Sequence, residues 1–236
     1  MLREYGELIE ISEMCGIKLT QELYDKLDLY AEIVAEYNKK VNLTAIMSPD
    51  ETFVKHFLDS MIVCTMLDFP ENSSVIDIGS GAGFPLVPMK LYRPDLQITL
   101  CDSQRKRTDF LSILCRELGI EAKIINDRAE NSAKKEEYRE KYDFCVARAV
   151  APLSLLCEYC LPFVKVGGHF LALKGPSEDA FDKKNVFAEL GAEVYGQNDY
   201  ILPNGDARRI VIARKISQIA TKYPRNSNQI LKHPLE

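Results

Sequence analysis

An α/β fold is predicted: a doubly wound, mostly parallel seven-stranded sheet with a terminal antiparallel hairpin and an N-terminal helical extension. Three observations predict it. From residue 74 onward short β-rich runs alternate with helical patterns; a glycine-rich turn, Gly79-x-Gly81-x-Gly83, follows the first run; and residues 1–70 show only helical spacing. Such alternation builds a parallel sheet covered by helices on both faces.

The elements follow in order. From Thr20, the residues Leu23, Leu27, Tyr30, Val34, Tyr37 and Val41 recur at steps of three and four, the stripe of one long amphipathic helix. Ser48-Pro49-Asp50-Glu51 is a capping box with proline at the first helical position, and Phe53, Phe57, Met61 and Cys64 continue a second stripe. Then come strand 74–78, helix 85–92, strand 97–101, helix 104–118 stopped by Gly119, and strand 122–126. Strand 142–147, helix 152–164, strand 168–173, helix 178–190 stopped by Gly191, and strands 193–197 and 208–214 complete the chain. The last two strands have no helix between them, so they form an antiparallel hairpin at one edge. The expected organisation is a helical extension over 1–70, a ligand-binding α/β domain over 71–216 and a basic tail over 217–236.

Composition sets limits. With 46% hydrophobic and 28% charged residues, neither a disordered nor a fibrous class is indicated. No apolar run is long enough for a membrane span and no leader pattern opens the chain, so a cytoplasmic location is expected. Seven scattered cysteines suit a reducing compartment, and the Cys157-x-x-Cys160 pair sits in an apolar helical pattern that reads as core. The net charge of −5 is uneven: residues 1–36 hold nine acids and three bases, residues 214–236 five bases and one acid. A polyanion would therefore meet local basic patches, unless the tail is merely solvating.

The glycine turn carries the chemistry. Gly79, Gly81 and Gly83 let the main chain bend tightly and approach a ligand where a Cβ would collide, at the carboxyl end of the first strand where doubly wound sheets bind ligands. Asp102 ends the second strand, placed to accept hydrogen bonds from ribose hydroxyls. Dinucleotide sites use G-x-G-x-x-G, which makes a nicotinamide dehydrogenase a distant alternative here. The G-x-G-x-G spacing after Asp77 suits instead a nucleoside with an amino acid tail, its carboxylate near backbone N–H groups and its ammonium near an acid: S-adenosyl-L-methionine.

The chain resembles the RsmG (GidB) family of bacterial 16S rRNA guanine-N7 methyltransferases, which have the class I, Rossmann-like fold. The matching stretches are Tyr37–Thr44, His56–Ser60, the D-x-G-x-G-x-G-F-P turn, Asp102-Ser103 with Lys106-Arg107 and Phe110-Leu111, Arg128-Ala129-Glu130, Arg148-Ala149, Leu173-Lys174-Gly175 and Lys222-Tyr223-Pro224-Arg225. Leu86 stands where many members carry glycine, and the segment after Arg225 lacks the usual glycine and basic residues. The resemblance implies that Gly79 and Phe84 line the cofactor, that Asp102, Ser103 and Gln104 hold the ribose side, that Ala129 and Glu130 flank the adenine, and that Arg148 lies in the site. It implies methyl transfer to a guanine of the decoding-region loop, with 16S rRNA or a small-subunit particle as partner and a monomeric enzyme.

Guanine N7 presents a free lone pair at neutral pH, so neither a strong general base nor a metal is expected, and catalysis rests on alignment. No N-P-P-Y or D-P-P-Y stretch for exocyclic amines occurs, nor a Pro-Cys pair for attack on a pyrimidine. Arg148, able to donate bidentately to guanine or phosphate, is the expected catalytic residue. His56 and Asp59, three residues apart, read either as a surface pair or as a substrate-facing position. Lys106, Arg107, Lys174, Arg208 and Arg209 are candidates for RNA phosphates, although Arg208-Arg209 also reads as a charged edge strand. The competing readings are a methyltransferase acting on a non-RNA substrate and an RNA-binding or cell-division factor without turnover.

Overall fold

The computed structural model describes residues 2–46 and 48–236. Helices α1 (Tyr5–Met14) and α2 (Gln21–Asn38) open the chain, α2 capped by the Thr20 hydroxyl, which accepts from the Leu23 N–H. Leu23, Leu27, Tyr30 and Val34 are its buried stripe, each worth about 1.5–3 kcal/mol in apolar area removed from water. Next comes a broken helical segment: α3 (Pro49–Glu51), a π-helical stretch Thr52–Leu58, α4 (Asp59–Met61) and α5 (Val63–Met66).

The α/β part follows as β1 (Ser74–Ile78), α6 (Leu86–Tyr92), β2 (Gln97–Asp102), α7 (Arg105–Glu117), β3 (Ala122–Asn126), α8 (Ala129–Ser132) and β4 (Tyr142–Arg148). Then come α9 (Leu153–Cys160), β5 (Val164–Lys174), α10 (Lys184–Glu189), β6 (Ala192–Ile201), β7 (Ala207–Lys215) and α11 (Ser227–Lys232). Strand order is β3-β2-β1-β4-β5-β7-β6, with β1 to β5 parallel and β7 antiparallel to both neighbours. The order reverses at β1, whose neighbours are β2 and β4, so the glycine turn opens at the switch point.

Two hydrophobic clusters cover the two faces of the sheet. One joins α2 and the π-helical segment to α6 and α7, so the N-terminal helices share a core with the sheet. The other holds α9, α10 and the fully buried Cys157 and Cys160.

Two expectations need correction. The antiparallel hairpin stands at one edge of the sheet as expected, but the strand bearing Arg208-Arg209 is not itself the edge, because β7 inserts between β5 and β6 and leaves β6 outermost. Nor is the tail simply solvated: Arg139 donates to the carbonyls of Ile219, Ala220 and Tyr223, and Lys215, Lys222 and Arg225 pair with Glu140, Glu189 and Glu158. Three of the five bases that made the tail look basic are thus matched by acids.

Candidate active site

Two cavities open beside the glycine turn and share Gly79, Arg107 and Ala149. The smaller, ≈ 280 Å³, lies over the carboxyl ends of β2 and β3 and is lined by Asp102, Ser103, Ala129, Glu130, Tyr159 and Ser227 among others. The larger, ≈ 480 Å³, lies between the turn and the π-helical segment, against His56, Phe84, Arg148, Lys174 and Arg208.

Gly79 is the hinge between them. Its φ is +77°, and an added Cβ would stand 2.6 Å from Val150 Cγ2, so glycine is required where the two cavities meet. Asp102, almost fully buried, accepts from the N–H of Gly81 at 3.0 Å and of Gln104 at 2.8 Å. A carboxylate has about four acceptor positions, which leaves capacity for hydroxyls of a ligand. Glu130 is also buried and accepts from the Ser227 hydroxyl at 2.6 Å. A cavity bordered by the bare backbone of Gly79, with two buried carboxylates in its wall, fits the adenosine part of S-adenosylmethionine.

Arg148 organises the larger cavity. Its Nη1 donates to Asp59 Oδ2 and to the Lys55 carbonyl, each at 3.1 Å, and Nη2 lies 3.3 Å from His56 Nδ1. The wide π turn brings these three groups to one side, as such turns do at functional sites. Asp59 also accepts from the Tyr200 hydroxyl at 2.7 Å, and Arg208 approaches it at 3.8 Å. Removing Asp59 leaves the Arg148 guanidinium without a carboxylate, at a cost of about 3–5 kcal/mol, whereas without Arg148 the Asp59 carboxylate keeps Tyr200 and the more distant Arg208.

His56 follows from this network. Arginine offers only donors, so Nδ1 accepts and the ring proton sits on Nε2, 2.9 Å from Thr44 Oγ1. Burial, with the Arg148 charge beside it, lowers the pKa of His56 to about 3. The neutral ring stacks on Phe84 at 4.4 Å, and Phe84 stacks in turn on Tyr30 at 5.2 Å.

The expected site residues are therefore sorted. Gly79, Asp102, Ser103, Ala129 and Glu130 line the smaller cavity; Gly79, Gly81, Phe84, His56, Arg148, Lys174 and Arg208 the larger; and Arg107 lines both. Five line neither. Asp77 is fully buried with both carboxylate oxygens unpartnered, and burial holds its pKa well above the carboxylate range. Gly83 serves packing, since a Cβ there would lie 2.5 Å from the Tyr30 hydroxyl. Gln104 caps α7 with its side chain in solvent. Lys106 is turned about 100° from Arg107 around α7 and is exposed. Arg209 alternates with Arg208 along β7, so it faces the other side and pairs with Asp199. His56 and Asp59 are no surface pair, being 8% and 3% exposed.

Thr44, Tyr200 and Ser227 are the additions, and Asp59, named beside His56, gains its role as the partner of Arg148. Asp59 and Thr44 lie in the stretches His56–Ser60 and Tyr37–Thr44, where a signal existed; Tyr200 and Ser227 come from distant chain and gave none.

The strand order, the glycine turn and the acid ending β2 together define a class I S-adenosylmethionine-dependent methyltransferase. Among solved structures the fold is similar to a SAM-dependent methyltransferase from Aquifex aeolicus (TM-score 0.54, 16% identity, 70% of this chain and 93% of that one). It is also similar to M. jannaschii TYW2 in complex with AdoMet (TM-score 0.52, 12% identity, 74% and 80%). Residues 23–193 match the GidB family, described as rRNA small subunit methyltransferase G. Relatives named ribosomal RNA small subunit methyltransferase G include those of Alkaliphilus metalliredigens, 43% identical over 94% of both chains, and of Acetivibrio thermocellus, 42% identical over 97% of this chain and 95% of that one. The chain belongs to this rRNA small subunit methyltransferase G family.

Proposed function

We propose that this chain transfers the methyl group of S-adenosylmethionine to N7 of a guanine in the decoding-region loop of 16S rRNA. The observation that carries the reading is the meeting of the two cavities at Gly79 and Ala149: a donor in one can face an acceptor in the other along a line. The bound cofactor supplies an electrophilic methyl on a sulfonium. Asp102 and Glu130 hold its nucleoside, and the turn backbone with Phe84 borders its methionyl arm.

Arg148 orients the target base, fixed by Asp59, the Lys55 carbonyl and His56 so that little rearrangement is needed when the base arrives. The neutral His56 ring adds no second positive charge where positive charge develops on the purine. Arg107 lines both cavities, and its Nη1 lies 3.6 Å from Asp102 Oδ2, so it places a cation beside the nucleoside end of the donor. Lys55, Lys174 and Arg208 border the larger cavity and suit the phosphates of a nucleotide.

In this reading 1–70 roofs the acceptor cavity, 71–216 carries the donor site, and 217–236 closes behind it. The enzyme works as a cytoplasmic monomer without a metal, on rRNA shaped by the small-subunit particle, since an acidic protein gains little from RNA charge alone. Among the described residues no helix is long and apolar enough to cross a membrane. The test is to map 7-methylguanosine in small-subunit rRNA from cells with and without this gene: the modification disappears with the gene, and its persistence refutes the assignment.

A further inference from the structure

The Lys222-Tyr223-Pro224-Arg225 stretch has no part in the chemistry above, yet it is held more firmly than a chain end requires. The Glu158 carboxylate, its side chain 1% exposed, accepts from the Arg225 backbone N–H at 2.7 Å and from the guanidinium Nη2 at 2.6 Å. Neither Glu158 nor Arg225 lines the donor cavity. What the pair does is deliver the next turn of chain: two residues later Ser227 lines the smaller cavity, its hydroxyl on Glu130 Oε1 and 3.2 Å from Arg128 Nη1. The following helix is secured by the buried Ile230 and by a reciprocal cap between Asn226 and Gln229.

We propose that Ser227 is a positioning residue of the donor site, presented by the Arg225–Glu158 latch, and that it sets which way the Glu130 carboxylate faces the adenosine. The hydroxyl takes one acceptor position on Oε1 and so fixes the rotation of the carboxylate, which leaves Oε2 without a donor among the described residues and turned to accept from the ligand. Without that hydroxyl the carboxylate is free to turn toward the Arg128 guanidinium, 3.9 Å from Oε1, and away from the ligand. The tail thus belongs to cofactor recognition rather than to RNA binding. The inference rests on the donor-site reading above.

The test is calorimetric titration of the full chain with S-adenosylhomocysteine, joined to hydrogen exchange of residues 224–232 with and without that ligand. Ser227→Ala should bind about tenfold more weakly at an unchanged melting temperature, and Ser227→Thr, which keeps the hydroxyl, should restore the affinity. With methyl donor varied on ribosomal substrate, Ser227→Ala should raise KM for the donor and leave kcat at saturation within twofold. In the wild type the ligand should slow exchange over 224–232. Arg225→Ala is a second variant, expected to abolish that protection; if it fails to fold, the Ser227 pair decides alone. Equal affinity of Ser227→Ala and wild type, or exchange over 224–232 that the ligand leaves unchanged, overturns the proposal. A wild type that does not bind S-adenosylhomocysteine at all refutes instead the donor site on which the proposal rests.

Discussion

At the scale of single residues, His56 shows how a neighbour decides what a side chain can do. An imidazole in a methyltransferase pocket invites a role as base, but its Nδ1 is committed to Arg148 and its proton to Thr44. The same environment makes it a measurable pH sensor of stability. Unfolded, the ring titrates near 6.5; folded, at about 3. The unfolded chain therefore gains the proton first as pH falls, so the stability His56 contributes is complete above about 6.5 and is lost progressively toward 3. Between pH 7 and 5 the loss should be about 2 kcal/mol. Asp77 works with the opposite sign, since burial raises its pKa and its contribution fades as pH rises, but it is common to both proteins in a comparison. Urea unfolding at pH 7 and 5 should show His56→Gln losing less stability than wild type over this interval by about that amount; equal losses would contradict the buried neutral ring.

Among elements, the glycine turn divides its labour. Three glycines in alternation read as one ligand-facing cradle, but the structure gives Gly79 to the cavities and Gly83 to packing under α2, where the Tyr30 hydroxyl donates to the Ala82 carbonyl at 2.6 Å. Gly83→Ala should therefore destabilise the fold by about 1–3 kcal/mol, from its φ of +96° and the clash with Tyr30. Thermal unfolding of Gly83→Ala with and without Tyr30→Phe isolates the hydroxyl clash: removing the hydroxyl should recover part of the loss, and no recovery would assign it to backbone strain and to Val87 Cγ2, 2.9 Å from the added Cβ.

The elements also show what was legible in the sequence. Strands 74–78 and 122–126 appear with the expected bounds, because β-branched runs between turn residues have few alternatives. Asp102 could be placed because strand and turn set its position. The π-helical stretch could not, since Phe53, Phe57 and Met61 fit an ordinary helical stripe and its contacts with Arg148 come from 89–93 residues away. Helix α11 was equally hidden: its cap, Asn226 with Gln229, is a local signal, but Ser227 gains its meaning only from Glu130, 97 residues away.

For the whole molecule, the arrangement matters more than any one group. The N-terminal helices and the sheet share a hydrophobic cluster, so the wall bearing His56 and Asp59 and the strand end bearing Arg148 are parts of one body and hold the larger cavity in shape. The cations bordering that cavity are each held by an acid, Lys55 by Glu51, Lys174 by Glu178 and Arg208 by Asp206, so a polyanion entering it would compete with those carboxylates. The most direct test is transfer of labelled methyl from S-adenosylmethionine to small-subunit particles lacking the modification, with the product nucleoside mapped. The account predicts 7-methylguanosine at one position of the decoding-region loop, formed by wild type and reduced at least a hundredfold by Arg148→Ala; label absent from the rRNA, or on another atom, would contradict it.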